Sequence, residues 1–577
     1  MTAYDLDARL TPASAKLEMR ARLTLRNDGA TPLGRVALQI SSTLTWQSAA
    51  LLGAARTQLA VVQHLLDTDT DHTGRANELV LTLPAPLAPG SSLSLDTFYS
   101  GAVPASAERL ERIGAAHQEG LAADWDAIVT GTTALRGYGN VLWYPVASPQ
   151  LFLGDGARLF QAIGQSRLLQ ETATVRLRIS IAYSGEAPTA AYFCGRRKPL
   201  TAISDNSDAP VASGSGIATV EFPAEALGFR SPSLFVVDRP ESLIAPLETD
   251  AAGKPSEDLL AVETADEAAL PLLAASAQNI APLLEAWFGP HPLSALTVLD
   301  HEGQPFEDGP LLVAPIAALG ASGSADALAH SLTHAWVQSG QPWMDEGLAQ
   351  FVALLYVEQQ QGREAALAQL HELMRPVTLA EPGPETLTAD TPELAGQPLV
   401  AASDELYYRR KAAAVWWMLR SLAGEQPLQL ALTTWRSQAA SQSSAREQAL
   451  AFEHLLEKTS HKDLAWFFAD WVLRDRGLPD LTIADVTPRQ LPAGKGHDSG
   501  WLVAVTVRND GAAAAEVPLV VRAGAYSVTR QMRIPGLSSA TDRVVVESRP
   551  TQVILNDGST PEVRVSEHTV NVTVQAQ

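Results

Sequence analysis

A single cysteine, Cys194, occurs in 577 residues. An intrachain disulfide is therefore excluded, as is any metal site built on several thiolates, which leaves histidine and carboxylate as the available metal ligands. Long apolar runs are also missing. The best candidate for a membrane span, residues 268–288, is broken by Gln278, Asn279, Pro282 and Glu285, where about 18 uninterrupted apolar residues would be needed. Positive charge is scarce as well. Against 64 Asp and Glu stand 42 Lys and Arg, a formal charge of −22, which opposes binding to phosphate backbones and anionic lipid, so nucleic acid is not an expected partner. The first seven residues lack the basic segment and apolar core of a secretory leader. The expectation is a cytoplasmic protein by default, with export left open if a segment precedes Met1.

What is present is globular. Hydrophobic residues make up 46% of the chain, and at roughly 100 to 200 residues per domain this length predicts three or four domains. From Tyr4 to about Pro240, short alternating runs such as Thr174-Val-Arg-Leu-Arg-Ile-Ser-Ile181 are punctuated by turn residues, the pattern of a large β domain. Arg239-Pro240 and the polar stretch from Thr249 to Asp258, with Gly253 and Pro255, read as a linker. Helices are expected to dominate from Asp258 to Gly477, and alternation returns after Pro479, as in Trp501-Leu-Val-Ala-Val-Thr-Val-Arg508. The predicted domains are thus 1–240, an N-terminal antiparallel β domain; 258–477, mainly helical; and 480–577, a β-sandwich. The triplet Asn-Asp-Gly occurs at 27–29, 509–511 and 556–558. We expect one hairpin solution used repeatedly, with positive φ supplied cheaply.

His330-Ser331-Leu332-Thr333-His334 carries the chemistry. Histidines four apart share one face of a helix, so both imidazoles can reach one ion. Chance alone supplies about 0.25 such pairs among this many histidines, and the plain alternative is a buried, hydrogen-bonded pair. A second feature strengthens the metal reading. A helix capped by Ser324 and stopped by Gly340 would be followed by one opening at Pro342 and ending near Gly362. His334 then lies roughly 9 Å before the turn and Glu346 roughly 6 Å beyond it, at about 1.5 Å per residue, so in an antiparallel hairpin they come out nearly level. Two imidazoles and a carboxylate leave a fourth tetrahedral position open, as a catalytic zinc site requires.

Trp343-Met-Asp-Glu-Gly-Leu-Ala-Gln-Phe351 resembles the tryptophan-x-asparagine-glutamate-glycine-phenylalanine-alanine segment of the aminopeptidase N-like (membrane alanyl aminopeptidase) gluzincin zinc metallopeptidases. Trp287-Phe-Gly-Pro-His-Pro-Leu293 and Lys462-Asp-Leu-Ala-Trp-Phe-Phe-Ala-Asp-Trp471 resemble two further segments of that family, and the order of the parts matches it. The resemblance implies a multidomain α+β protein: a β domain, a thermolysin-like, mainly helical catalytic domain and a C-terminal β-sandwich. It implies one Zn²⁺ held by His330, His334 and Glu346. Tyr408, in Tyr407-Tyr-Arg-Arg-Lys-Ala412, resembles the family's transition-state tyrosine, although its spacing to Lys411 is one residue longer.

The resemblance implies a divergent member. Ser331 stands where the family's general-base glutamate belongs, and positioned acid-base catalysis contributes about 10²- to 10⁴-fold. Only 11 residues separate His334 from Glu346, shorter than the family's connection. Where the family has a strand that captures a substrate amino group, this chain has Gly309-Pro-Leu-Leu-Val313, and Leu312 cannot hold an ammonium ion. Glu302, Glu307 or Asp308 would have to do so. Asp326, four residues before His330, would either orient that imidazole or simply favour the helix N-terminus. Trp336, Trp343, Trp416 and Trp417 are expected to pack.

Three functions follow. The first is a zinc metallopeptidase of reduced activity acting on peptides. The second is a non-catalytic pseudo-peptidase that binds a peptide or protein partner. The third is a structural scaffold without metal. The oligomeric state is not legible in the sequence.

Overall fold

The structure is a computed structural model describing residues 1–155, 158–204, 214–247, 258–319, 325–381, 396–437, 444–492, 499–564 and 568–573. Ser324 and residues 249–257 of the expected linker lie outside the described residues. The chain forms two compact units, one of Met1–Asn279 with Ser294–Ala325, the other of Ile280–Leu293 with Asp326–Gln577.

In the first unit, period-two alternation builds an eight-stranded sheet. Ala3–Thr11 pairs antiparallel with Lys16–Arg26, placing Leu6 opposite Ala21 and Leu10 opposite Leu17. Those four residues are buried, whereas Asp7 and Arg9 on the other face are exposed. The same edge of Ala3–Thr11 that faces away from this partner runs parallel to Thr174–Ser184, so the sheet is mixed and not purely antiparallel as expected. Parallel partners need a long connection, and here an entire second sheet of Leu33–Ser41, Arg75–Leu87 and Val62–Asp67 intervenes. Leu38 and Leu79 of that sheet share one core with Leu6 and Leu17. Cys194 is buried here, and burial pushes its thiol up to about 12.

The expected switch to helix at Asp258 comes later than the sequence implies. Asp258–Glu263, Leu296–Asp300 and Leu311–Ala314 are parallel neighbours in a five-stranded sheet, with Leu270–Phe288 as a crossover helix. Strands buried on both faces, such as Leu311-Leu-Val-Ala314, carry no alternation and cannot be told from helix by period alone. Leu312 is buried, opposite Val298 on one side and Glu307 on the other. Asp308 is committed to structure: Ser233 Oγ donates to its Oδ2 at 2.6 Å, and Arg230 Nη1 lies 3.2 Å from its Oδ1.

The Asn-Asp-Gly triplets share a local solution, but the first two are not hairpins. In each of the three, the glycine N–H donates to the asparagine Oδ1, at 3.0, 3.0 and 3.1 Å. The asparagine Nδ2 in turn donates to the carbonyl four residues on, of Thr31, Ala513 or Thr560. Positive φ occurs only at Asn556 and Gly558. The strands flanking Asn27 and Asn509 belong to different sheets, so these turns carry the chain from one sheet to the next.

From Asp326 on, the second unit carries most of helix Ala325–Trp336 and then helices Pro342–Gln361 and Arg363–Ala380. A π-helical turn, Leu406–Lys411, runs directly into helix Ala412–Ala423. Gly347 permits the second and last of these helices to touch: a Cβ there would stand 2.6 Å from Ala412 Cβ. After Pro479 come a three-stranded and a four-stranded sheet. Val503, Val505 and Val544 of one and Val517, Leu519 and Val553 of the other form a single apolar cluster. Among the described residues no helix is long and apolar enough to cross a membrane.

Candidate metal site

The helix carrying the histidines ends at Trp336, one turn earlier than expected, and Gly340 at φ +75° reverses the chain. Pro342 occupies the first turn of the next helix, where its missing N–H costs nothing. The reversal is tied by Asp345, whose carboxylate accepts hydrogen bonds from the backbone N–H of Ser339 at 2.7 Å and of Gly340 at 2.9 Å. Burial raises the Asp345 carboxyl above its ordinary range, while those bonds oppose the rise. Nothing in residue order singled this aspartate out beyond its place next to Glu346.

The tied hairpin brings the three expected residues together. His330 and His334 are each 3% exposed. Glu346 Oε2 lies 3.5 Å from His330 Nε2, and its Oε1 lies 3.7 Å from His334 Nε2. All three ligand atoms fall within 4.8 Å of one another. Zinc with bonds of about 2.0 to 2.2 Å and tetrahedral angles separates its ligand atoms by roughly 3.3 to 3.5 Å, so the set fits one ion after small adjustment. His334 Nε2 and Glu346 Oε2 are buried without a hydrogen-bond partner among the described residues, and orphaned polar atoms in such a place call for a ligand. Burial would raise the Glu346 carboxyl, but His334, His330 and Arg409 together hold it down to about 2. The permanent charge of Arg409 is part of that pull.

No protein-family model and no curated protein matches the sequence. Solved structures do match. Aminopeptidase A of Legionella pneumophila, solved with aspartic acid, aligns at a TM-score of 0.55 and 12% identity, over 96% of this chain and 58% of that one. The chain is similar in fold to that protein. This chain spans somewhat over half the length of the Legionella protein. The M1 zinc metallopeptidase of Deinococcus radiodurans aligns at a TM-score of 0.42 and 16% identity, over 80% of this chain and 92% of that one.

Other residues arrange themselves around the three. Ser331 is buried on the histidine helix, and a hydroxyl there cannot take a proton as a carboxylate would. Tyr408 is half-buried on the π-helical turn. Its neighbour Arg409 is the residue the sequence reading missed: Nη2 donates to His330 Nε2 at 3.1 Å, and Nε lies 3.9 Å from Glu346 Oε2. Asp326 turns elsewhere, accepting a hydrogen bond from Gln369 Nε2 at 3.2 Å. The four tryptophans pack as expected and are fully buried. Trp336 Nε1 donates to Gly289 O at 2.9 Å.

Proposed function

We propose that this chain is a divergent zinc-metallopeptidase homologue of the aminopeptidase N-like gluzincin kind, with His330, His334 and Glu346 holding one Zn²⁺ and peptide hydrolysis weakened by Ser331. The observation that carries this reading is the meeting of two buried imidazoles and one anionic carboxylate within 4.8 Å, with His334 Nε2 and Glu346 Oε2 left unsatisfied. In this reading residues 1–240, 258–477 and 480–577 correspond to β domain, catalytic domain and β-sandwich, and the partner is a peptide or protein.

Bound zinc would supply Lewis-acid polarisation of a peptide carbonyl. The chain's own contribution is to fix its ligands: the Asp345 tie sets the hairpin, and the hairpin sets Glu346 against both imidazoles. Tyr408 is assigned, by resemblance, the donation of a hydrogen bond to the developing oxyanion. Ser331 leaves the nucleophile's proton without an adjacent carboxylate to receive it, which removes about 10²- to 10⁴-fold of rate. A pseudo-peptidase is the second reading. It is favoured by Arg409, which puts a guanidinium against the very nitrogen that would ligate.

Metal analysis of the purified full chain tests the assignment. About one zinc per chain is expected, falling to background in the double variant His330→Ala, His334→Ala. Metal content unchanged in that variant sinks the ligand set.

A further inference from the structure

The turn Leu406–Lys411 is π-helical and joins an α-helix without a break. A π-turn holds one residue more than an α-turn and shifts the side chains before it around the axis, and such turns cluster where a side chain must be re-aimed. Here the re-aimed side chain is Arg409. Its guanidinium has donors and no acceptor, so the 3.1 Å bond to His330 Nε2 uses the lone pair of that nitrogen. A ring nitrogen that accepts there carries no proton, which is also the form in which Nε2 would ligate. The same guanidinium faces Glu346 Oε2 at 3.9 Å through Nε and Glu405 Oε1 at 3.7 Å through Nη1. Two of the three candidate ligand residues are thus already engaged by a cation that belongs to the chain.

One lone pair cannot serve an N–H and a metal together. An ion about 2.0 to 2.1 Å from His330 Nε2 would lie in the space between that nitrogen and the guanidinium, against a side chain that stays charged at every accessible pH. We propose that Arg409 is an internal cation that competes with metal for His330 Nε2 and Glu346 Oε2, so that zinc enters only as the guanidinium swings out and Arg409 sets the affinity of the site. This rests on the zinc reading above. Arg409 acts on the ligands and not on a reacting atom, which makes it a positioning residue. In the metal-free chain it stands 3.9 Å from Glu346 Oε2; in the metal-bound chain Glu405, which precedes the turn, is an acid within its reach.

The test is zinc affinity of the full-length chain, measured by competition with a chromophoric chelator. The wild type, Arg409→Met, Arg409→Gln and the double variant His330→Ala, His334→Ala are compared, with folding checked by circular dichroism. At least tenfold tighter zinc binding in Arg409→Met is expected, and a zinc-induced rise in melting temperature larger than in wild type. Damage to structure weakens a site, so a gain in affinity reports competition alone. Arg409→Gln supplies the measurement if the methionine variant does not fold. Equal or weaker affinity in the folded variant overturns the competition while leaving zinc ligation in place. Binding by none of the chains above the double-histidine background overturns both readings at once.

Discussion

The indole of Trp343 lies flat on that of Trp416, with ring centroids 5.1 Å apart and planes 5° from parallel. Trp416 Nε1 also donates to the backbone carbonyl of Trp343 at 3.2 Å. Since Trp343 sits one turn before Glu346, this stack fixes the helix that presents the carboxylate. Truncating a buried tryptophan leaves a cavity and costs about 3 to 5 kcal/mol. Trp416→Ala is therefore expected to lower the denaturant midpoint of the cooperative unit that contains the site. It should also weaken zinc binding, because the freed helix no longer holds Glu346 level with the histidines. Normal zinc affinity in a folded Trp416→Ala protein would show that the hairpin alone sets the ligand geometry.

Lys411 is fully enclosed with two carboxylates. Its Nζ donates to Glu381 Oε1 at 2.5 Å and to Asp475 Oδ1 at 2.6 Å, so one cation serves two acids. Burial first, and then Asp475, raise the Glu381 carboxyl to about 7, against the opposing pull of Lys411. The folded state thus holds a proton that the unfolded chain, titrating near 4.5, releases much earlier. Stability from this proton is complete below about 4.5 and is lost as pH rises through about 7. Melting temperature should fall between pH 5 and 8 in the wild type, and Glu381→Gln should flatten that slope. A Glu381→Gln profile parallel to wild type would assign the slope to other groups. Lys411→Met leaves two acids facing each other in the interior, and about 3 to 5 kcal/mol of destabilisation is expected from one such orphaned partner.

How far the sequence reaches is visible in the same residues. Pro342 and Gly362 bound the second site helix as read, and Glu346 arrives level with His334, because helix rise and turn chemistry are local properties that residue order encodes. What was not legible depends on distant partners or on backbone register. The parallel pairing of Ala3–Thr11 with Thr174–Ser184 joins segments far apart in the chain. Leu311–Ala314 shows no alternation because both its faces are covered. Arg409 escaped notice because a π-turn has no compositional mark, and only the extra residue between Tyr408 and Lys411 hinted that the helix there is out of step.

Asp345 carries the reversal between the two site helices through two backbone hydrogen bonds. Loss of a capping carboxylate costs about 0.5 to 2 kcal/mol, too little to unfold the protein. Its greater effect should fall on the metal, since groups that orient ligands typically control about 10- to 100-fold of affinity. Asp345→Ala is expected to weaken zinc binding by roughly tenfold with a melting temperature within a few degrees of wild type. Asp345→Asn keeps an acceptor for one of the N–H groups and should recover part of the loss. Zinc affinity identical to wild type in both variants would mean that Gly340 and Pro342 suffice to fix the turn.

Ser331 offers the most direct access to the chemistry. It occupies the helix one residue after His330, buried beside the ligand cluster, and it lacks the carboxylate that would receive the nucleophile's proton. Replacing it by glutamate adds that acceptor without changing a ligand. If bound zinc and a competent cleft are present, Ser331→Glu should raise hydrolysis of aminoacyl and internally quenched peptides by about 10²-fold or more, the scale of positioned acid-base catalysis. Arg409 sets the zinc needed to reach that gain: with the guanidinium removed from His330 Nε2, the double variant Ser331→Glu, Arg409→Met should reach it at a lower zinc concentration than the single one. Both chains loaded with zinc and still inert would place the defect in substrate binding and not in the missing proton acceptor.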